Sequence, residues 1–231
     1  MKSRPACSCL DPQYKHRRWS ELQLHSECQD TSCDAWKRLL DLVELAACDG
    51  REEFAPGREM QWEHWIQIVT LPPTIAKLKS VKHLMVYGSS LVRIQPQIGE
   101  MTALEKFTPY TSYQLHWFPY EITRCTKLKD STVSTRALYG NYKYRPPFPQ
   151  LPSISSEITS ACCGVCGGLF AKSGPHQFWV SLRVATDVLP LLVQTCSAEC
   201  VRRLPKSAEG YVSEPHQGGL DLKQPHASHG A

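Results

Sequence analysis

The feature that most constrains this fold is an apolar pattern that returns every 23 to 24 residues through the middle of the chain. The first unit sets apolar residues at Leu71, Ile75, Leu78, Val81, Leu84 and Val86. The second keeps the spacing at Ile94, Ile98, Met101, Leu104 and Phe107, with Pro109 in the last place. The third runs Phe118, Ile122, Cys125, Leu128, Ser131 and Val133. A period of this length is the mark of a repeat architecture, so it restricts the fold before any local propensity does. Alternation around Leu84 to Val86 suits a short strand. The three-residue spacing of Ile75, Leu78 and Val81 suits a turn or short helix folding back over that strand. One unit alone cannot bury its apolar edge, whereas neighbours stacked in parallel can.

On these residues the segment resembles the leucine-rich-repeat family in its form "L-P-x-x-I-x-x-L-x-x-L-x-x-L-x-L", and Ile98-Gly99-Glu100-Met101 is especially close. The resemblance covers about a third of the chain. It implies an α/β fold: a short solenoid with a parallel sheet on its concave face. It also implies protein binding through the side chains that alternate with the core ones. Those are His83, Met85 and Tyr87, then Lys106, Thr108 and Tyr110, then Asp130, Thr132 and Ser134. Such a mixture of aromatic, basic and small polar groups suits an interaction surface.

The pattern also departs from the family. Where the family sets an asparagine after the strand, this chain has Ser89, Ser112 and Arg136, and its one asparagine is Asn141. Pro109 would remove a ladder donor, and Ser131 stands in a core leucine place. These departures predict an irregular solenoid of about three to four turns whose open ends need caps.

The repeats divide the chain. Residues 1–64 are expected to form a helical cap region, 65–141 the solenoid, 142–160 a Pro/Ser-containing connector, 161–204 a small α+β unit and 205–231 a disordered tail. Residues 14–48 read as helical in one or two pieces. In the clearer piece Trp36, Leu39, Leu40, Val43 and Ala47 share one face, Asp34 is placed to cap the start, and Gly50 ends it. Phe54 to Gly57 reads as a turn, and 60–68 as an apolar approach to the repeats. The whole arrangement is similar to bacterial leucine-rich-repeat proteins, a likeness that implies no activity.

Eleven cysteines are present, and four of them form two close pairs, Cys163-x-x-Cys166 and Cys196-x-x-x-Cys200. Two pairs of thiolates are what a tetrahedral zinc site requires. Between the pairs, 178–184 and 188–195 read as strands joined by a turn at 185–187, and Cys200 opens a short helix. Knuckle, hairpin and ligand-bearing helix resemble treble-clef zinc fingers over about forty residues. The resemblance implies Cys163, Cys166, Cys196 and Cys200 as ligands of a structural zinc. Cys162 offers a substitute for Cys163, and free thiols are the alternative to a metal. Cys7, Cys9, Cys28 and Cys33 lack knuckle glycines, which makes a second metal site the weaker reading. Cys125 takes a core leucine place and reads as a buried hydrophobe.

The formal net charge of +4 falls short of a dedicated nucleic-acid binder. A nucleic-acid alternative still exists in Lys172, Arg183, Arg202, Arg203 and the basic-aromatic run 139–148. That run reads more readily as a cover for the open end of the solenoid. No phosphate loop, nucleophile elbow or paired-carboxylate frame occurs, so catalytic residues are not assigned. No apolar stretch reaches membrane-spanning length and no secretory leader is read, which leads to the expectation of a cytoplasmic, reducing compartment. The sequence therefore predicts an adaptor with a protein partner, a structural zinc and no membrane contact.

Overall fold

A computed structural model describes residues 24–151, 160–170 and 174–226. In chain order the elements are α1 (Asp34–Asp49), β1 (Glu53–Phe54), α2 (Pro56–Glu59), α3 (Trp62–Trp65), β2 (His83–Met85), β3 (Lys106–Thr108), β4 (Phe118–Pro119), β5 (Asp130–Ser131), β6 (His176–Val184), β7 (Asp187–Thr195) and α4 (Ala198–Arg202). The chain is a mixed α/β protein with a parallel sheet, and among the described residues the helices are few and no barrel closes.

Helix α1 forms because Leu39, Leu42, Val43 and Ala46 return at helical spacing and are all buried. The buried stripe is centred one position from the face read in the sequence, so Leu40 and Ala47 lie at its margin. The helix starts at Cys33, whose Sγ accepts the Trp36 N–H at 3.4 Å. Asp34, expected as the cap, is instead the first helical residue, where its carboxylate pairs with Lys37 at 3.2 Å. Gly50 ends the helix in the left-handed conformation with φ 68°, which a side chain would oppose.

The repeating segment builds a four-stranded parallel sheet in the order β1-β2-β3-β5. His83 stands opposite Lys106, and Lys106 opposite Asp130, so the sequence period becomes the step between adjacent strands. A 3-10 turn follows at Pro73–Lys77, Pro96–Glu100 and Tyr120–Arg124. Proline pre-sets the first two, and Ile75, Ile98 and Ile122 point fully inward from all three. Phe54 to Gly57, expected as a turn, divides instead between the first strand of the sheet, Glu53–Phe54, and α2, which begins at Pro56. A strand of two residues carries no alternation to read. Pro109 falls just past the end of β3, so no ladder donor is missing there.

Strands β6 and β7 form a nine-residue antiparallel hairpin, and β7 also pairs in parallel with β4. Ala185 and Thr186 alone make the turn, Ala185 with φ 54°. One face of the hairpin, Val180, Leu182, Val184, Leu189, Leu191 and Val193, joins the same apolar core as α1 and the repeats. The other face packs Trp179 and Leu192 against Trp117, Tyr139, Phe148 and Leu151. Tyr139 and Phe148 of the basic-aromatic run are thus buried beneath the hairpin.

The hairpin tip also closes one edge of the parallel sheet. Ser131 N donates to Thr186 Oγ1 at 3.1 Å, and Ser131 Oγ donates to Val184 O at 3.1 Å. A polar residue in a core leucine place is explained by this junction.

The tail expected to be disordered is instead paired over much of its length: 208–216 runs along β6, and Gln217 and Gly219 bond the backbone of Leu151 and Phe148. Trp179 N donates to His216 O at 2.7 Å, His216 N returns to Trp179 O at 3.1 Å, and Ala208 N reaches Ser181 O at 2.8 Å. Backbone pairing needs few apolar anchors, so composition did not reveal it. The remaining tail, 227–231, and residues 152–159 of the connector lie outside the described residues.

Candidate functional site

Two places in this fold carry groups with chemistry to offer. The first is the cysteine cluster at the far end of the hairpin. Cys163 N donates to Gly168 O at 2.8 Å and Gly167 N to Cys163 O at 2.9 Å, which folds 163–168 into a knuckle. Gly167 has φ 73°, open to glycine at no steric cost. On the other side Ser197 caps α4, its Oγ accepting the Cys200 N–H at 3.3 Å. Gly164 N donates to Gln194 O at 2.8 Å and ties the knuckle to β7.

The result brings the sulfurs of Cys163, Cys166, Cys196 and Cys200 within 4.8 Å of one another. Cys166 to Cys196 and Cys196 to Cys200 are each 3.6 Å. Thiolates about 2.3 Å from a tetrahedral zinc ion lie about 3.8 Å apart, so the donor set and its spacing fit such an ion. Cys162 is not in the cluster; its backbone bridges Leu169 instead.

The electrostatics show what the cluster lacks on its own. Burial opposes ionisation of Cys163, but backbone N–H groups of Cys166, Val165 and Cys196 outweigh it and bring the thiol down to about 7. The neighbouring sulfurs of Cys166 and Cys200 push Cys196 up to about 12. Four sulfurs this close cannot all be thiolates unless a cation sits among them.

Cys28 and Cys33 do not join a metal-holding group among the described residues. Cys33 caps α1, while Cys7 and Cys9 lie outside the described residues. Cys125 is buried and burial pushes its thiol up to about 11.

The second place is the face of the parallel sheet. His83 Nδ1 lies 2.9 Å from Glu53 and its Nε2 2.9 Å from Thr108 Oγ1. Lys106 pairs with Asp130 at 3.3 Å. Tyr87 and Tyr110 are 55% and 47% exposed, with ring centroids 6.1 Å apart. Met85 is half-buried and Thr132 is exposed. Ser134 does not belong to this face. It is buried, and its Oγ accepts the Thr111 N–H at 2.8 Å, because the third unit turns there.

Met85, Tyr87 and Thr108 also line a groove of about 760 Å³ whose other wall is Ala55, Gly57, Arg58, Trp62 and Trp65. The sequence reading missed that wall. Its one signal is Trp62-x-x-Trp65, two large rings in a segment too short to score as an amphipathic helix.

Three of the basic residues of the nucleic-acid alternative, Arg145, Arg183 and Arg202, are engaged within the chain. Arg145 donates to Gly140 O at 3.0 Å and Gly210 O at 2.6 Å and covers the Tyr211 ring. Arg202 pairs with Glu199, and Arg183 donates to Thr186 O at 3.3 Å. Lys172 lies outside the described residues. Among the described residues no helix is long and apolar enough to cross a membrane. No protein-family model and no curated protein matches this chain.

Proposed function

We propose that this chain is a protein-interaction module without catalytic chemistry of its own. In this reading 65–141 is a short solenoid of the leucine-rich-repeat type, and its sheet face takes a protein partner. Zinc held by Cys163, Cys166, Cys196 and Cys200 fixes the hairpin that caps it. Four thiolate ligands leave no open coordination position, which makes the metal structural and gives it no substrate to polarise.

The observation that carries the reading is the exposure of Trp62, Tyr87 and Tyr110, at 60%, 55% and 47%, beside the groove at one side of the sheet. Aromatic side chains held in water beside a concavity mark an interaction surface, since each would otherwise gain from burial. The charges on the same face pair with one another as Glu53–Arg58 and Lys106–Asp130, and His83 hydrogen-bonds Glu53. A nucleic-acid surface would instead hold its cations free for phosphates.

Partner capture from native lysate, with and without nuclease, tests the reading. The wild-type chain is compared with a folded Tyr87→Ala, Lys106→Glu, Tyr110→Ala variant. A protein retained after nuclease and lost by the variant is the expected result. Capture that vanishes with nuclease and ignores the variant overturns it in favour of nucleic acid. Metal analysis of native protein tests the zinc, and four titratable thiols without metal would remove it.

A further inference from the structure

We propose that His25 and His116 form a second metal site, which takes a late first-row divalent ion of the zinc, nickel and copper class. The inference stands apart from both the protein-binding reading and the cysteine cluster.

The two histidines are 91 positions apart in the chain, and the repeats bring them together. Segment 25–29 is laced across the units in turn. Gln29 Oε1 accepts the Val69 N–H at 2.8 Å, and Arg93 donates to His25 O at 3.3 Å and to Glu27 O. His116 follows Arg93 by one repeat, so the lacing delivers His25 to it.

Each imidazole is oriented through its Nδ1. His116 Nδ1 lies 2.5 Å from Ala137 O, and His25 Nδ1 lies 3.0 Å from both carboxylate oxygens of Glu27. A carbonyl and an ionised carboxylate only accept, so each Nδ1 carries a hydrogen and, in the neutral rings, each Nε2 presents a lone pair. Those two Nε2 atoms face one another at 3.2 Å. Lone pairs at that distance repel unless a cation lies between them. An oxygen acceptor behind Nδ1 is also the arrangement that orients a metal-binding imidazole and raises its basicity.

The spacing fits an ion. Two imidazole nitrogens about 2.05 Å from one tetrahedral ion lie about 3.3 Å apart, with ring centres about 5.2 Å apart. The ring centres of His25 and His116 are 5.1 Å apart, and their planes differ by 21°, so one ion can lie close to both planes. Imidazole donors suit zinc, nickel and copper, whereas magnesium and calcium take oxygen. The Glu27 carboxylate supplies negative charge behind His25, and Arg93 is turned onto backbone carbonyls. Among the described residues no third His, Cys, Asp or Glu joins the pair, so the ion keeps open positions and exchanges more readily than one held by four thiolates. The His25 side chain is 10% exposed, which gives the ion its way in.

The test follows the imidazole nitrogens of the full chain by NMR during titration with zinc chloride, after one equivalent has been supplied for the cysteines. The Nε2 signals of His25 and His116 are expected to move together and to saturate at one ion for the pair. Lowering the pH from about 7.5 to about 5.5 should weaken uptake, since the rings bind only when neutral. His116 is 3% exposed, so the variant is placed at the rim: His25→Gln should weaken uptake tenfold or more, read on His116. Nε2 signals that stay in place in excess zinc, or uptake undiminished in His25→Gln, overturn the inference, and a shared proton is then the cation between the rings. The wild-type spectrum needs no variant to fold, and it reports on this pair whether or not the cysteines hold zinc.

Discussion

Ser112 Oγ accepts the Ser89 N–H at 3.1 Å, lies 2.7 Å from Ser89 Oγ and donates to Val86 O at 2.9 Å. It is 1% exposed, so each of those partners would be stranded without it. Ser112→Ala is expected to cost about 1–3 kcal/mol in urea unfolding, against almost nothing for Thr102→Ala on the surface. Ser131 poses the opposite case. Ser131→Leu restores the apolar repeat yet pushes the hairpin tip away from Val184 O and Thr186; an expected loss of about 2–4 kcal/mol would show up as a lower denaturation midpoint. The sequence identified Ser89 and Ser112 as the turn positions because two full units align there. It named Arg136 in place of Ser134 because the third unit shortens, and no periodicity reports a shortening at its own last turn. His216 falls in the tail expected to be disordered for a related reason: nothing local marks its contact with Phe148, the two residues being far apart in the chain. Burial pushes its imidazole down to about 4 from the ordinary 6.5. Its Nδ1 accepts the Gly218 N–H at 3.2 Å, and its Nε2 has no partner to receive a second charge-stabilising bond. The folded form thus binds its proton less readily than the unfolded form. The stabilisation is full above about 6.5 and is lost as pH falls towards about 4, worth about 1–2 kcal/mol once partial exposure is allowed for. Protection factors of the amides in 205–220, exchange rates corrected for the intrinsic pH dependence, should fall between about pH 6 and about pH 4, roughly the bounds of the titration, and His216→Phe should abolish the change.

The hairpin is the element that sequence alone defined best. Its strands are long, rich in β-branched and aromatic residues, and bounded by a turn signal at Ala185-Thr186. The strands of the parallel sheet, two or three residues each, were legible only through the repeat that recurs across them. The cysteine pairs were legible from spacing, whereas their closeness depends on β6 and β7 returning the chain to the knuckle. That dependence runs both ways. Gln194 O holds Gly164 N, and Ser160 N donates to Gln194 Oε1 at 2.6 Å, so the knuckle and the end of β7 share their hydrogen bonds. Withdrawing the proposed zinc therefore loosens the end of β7 as well as the knuckle. At free zinc a thousandfold above its dissociation constant, the ion adds about 4 kcal/mol to stability. Chelation should lower the melting temperature by several degrees and leave the chain with four additional reactive thiols. A melting curve indifferent to chelator would mean that the cluster holds no structural ion.

At the scale of the whole molecule, the question is whether the hairpin is a separate unit or the end wall of the repeats. The sequence, with its Pro/Ser-containing connector, divided the two at 142–160. Contacts across that division argue for one body. The apolar core that begins at Ala35 in α1 runs without interruption through Leu84 and Phe107 to Val180 and Val193 in the hairpin. Backbone pairing adds to it, since Phe118 and Pro119 of β4 sit in register with Leu191 and Leu192 of β7. A small parallel sheet that shares one apolar core with α1 and with the hairpin has no boundary at which to unfold in parts. We expect a single thermal transition in which α1 and the hairpin melt together, although their residues are far apart in the chain. Exchange mass spectrometry reads this directly: the slowest amides of α1 and of β6–β7 should share one opening free energy. A Cys163→Ser, Cys166→Ser variant should lower both by the same amount, because the cap supports the far end only through the common core. If the variant weakens β6–β7 alone and leaves α1 unchanged, the hairpin is a domain of its own. The sheet face would then owe nothing to the metal.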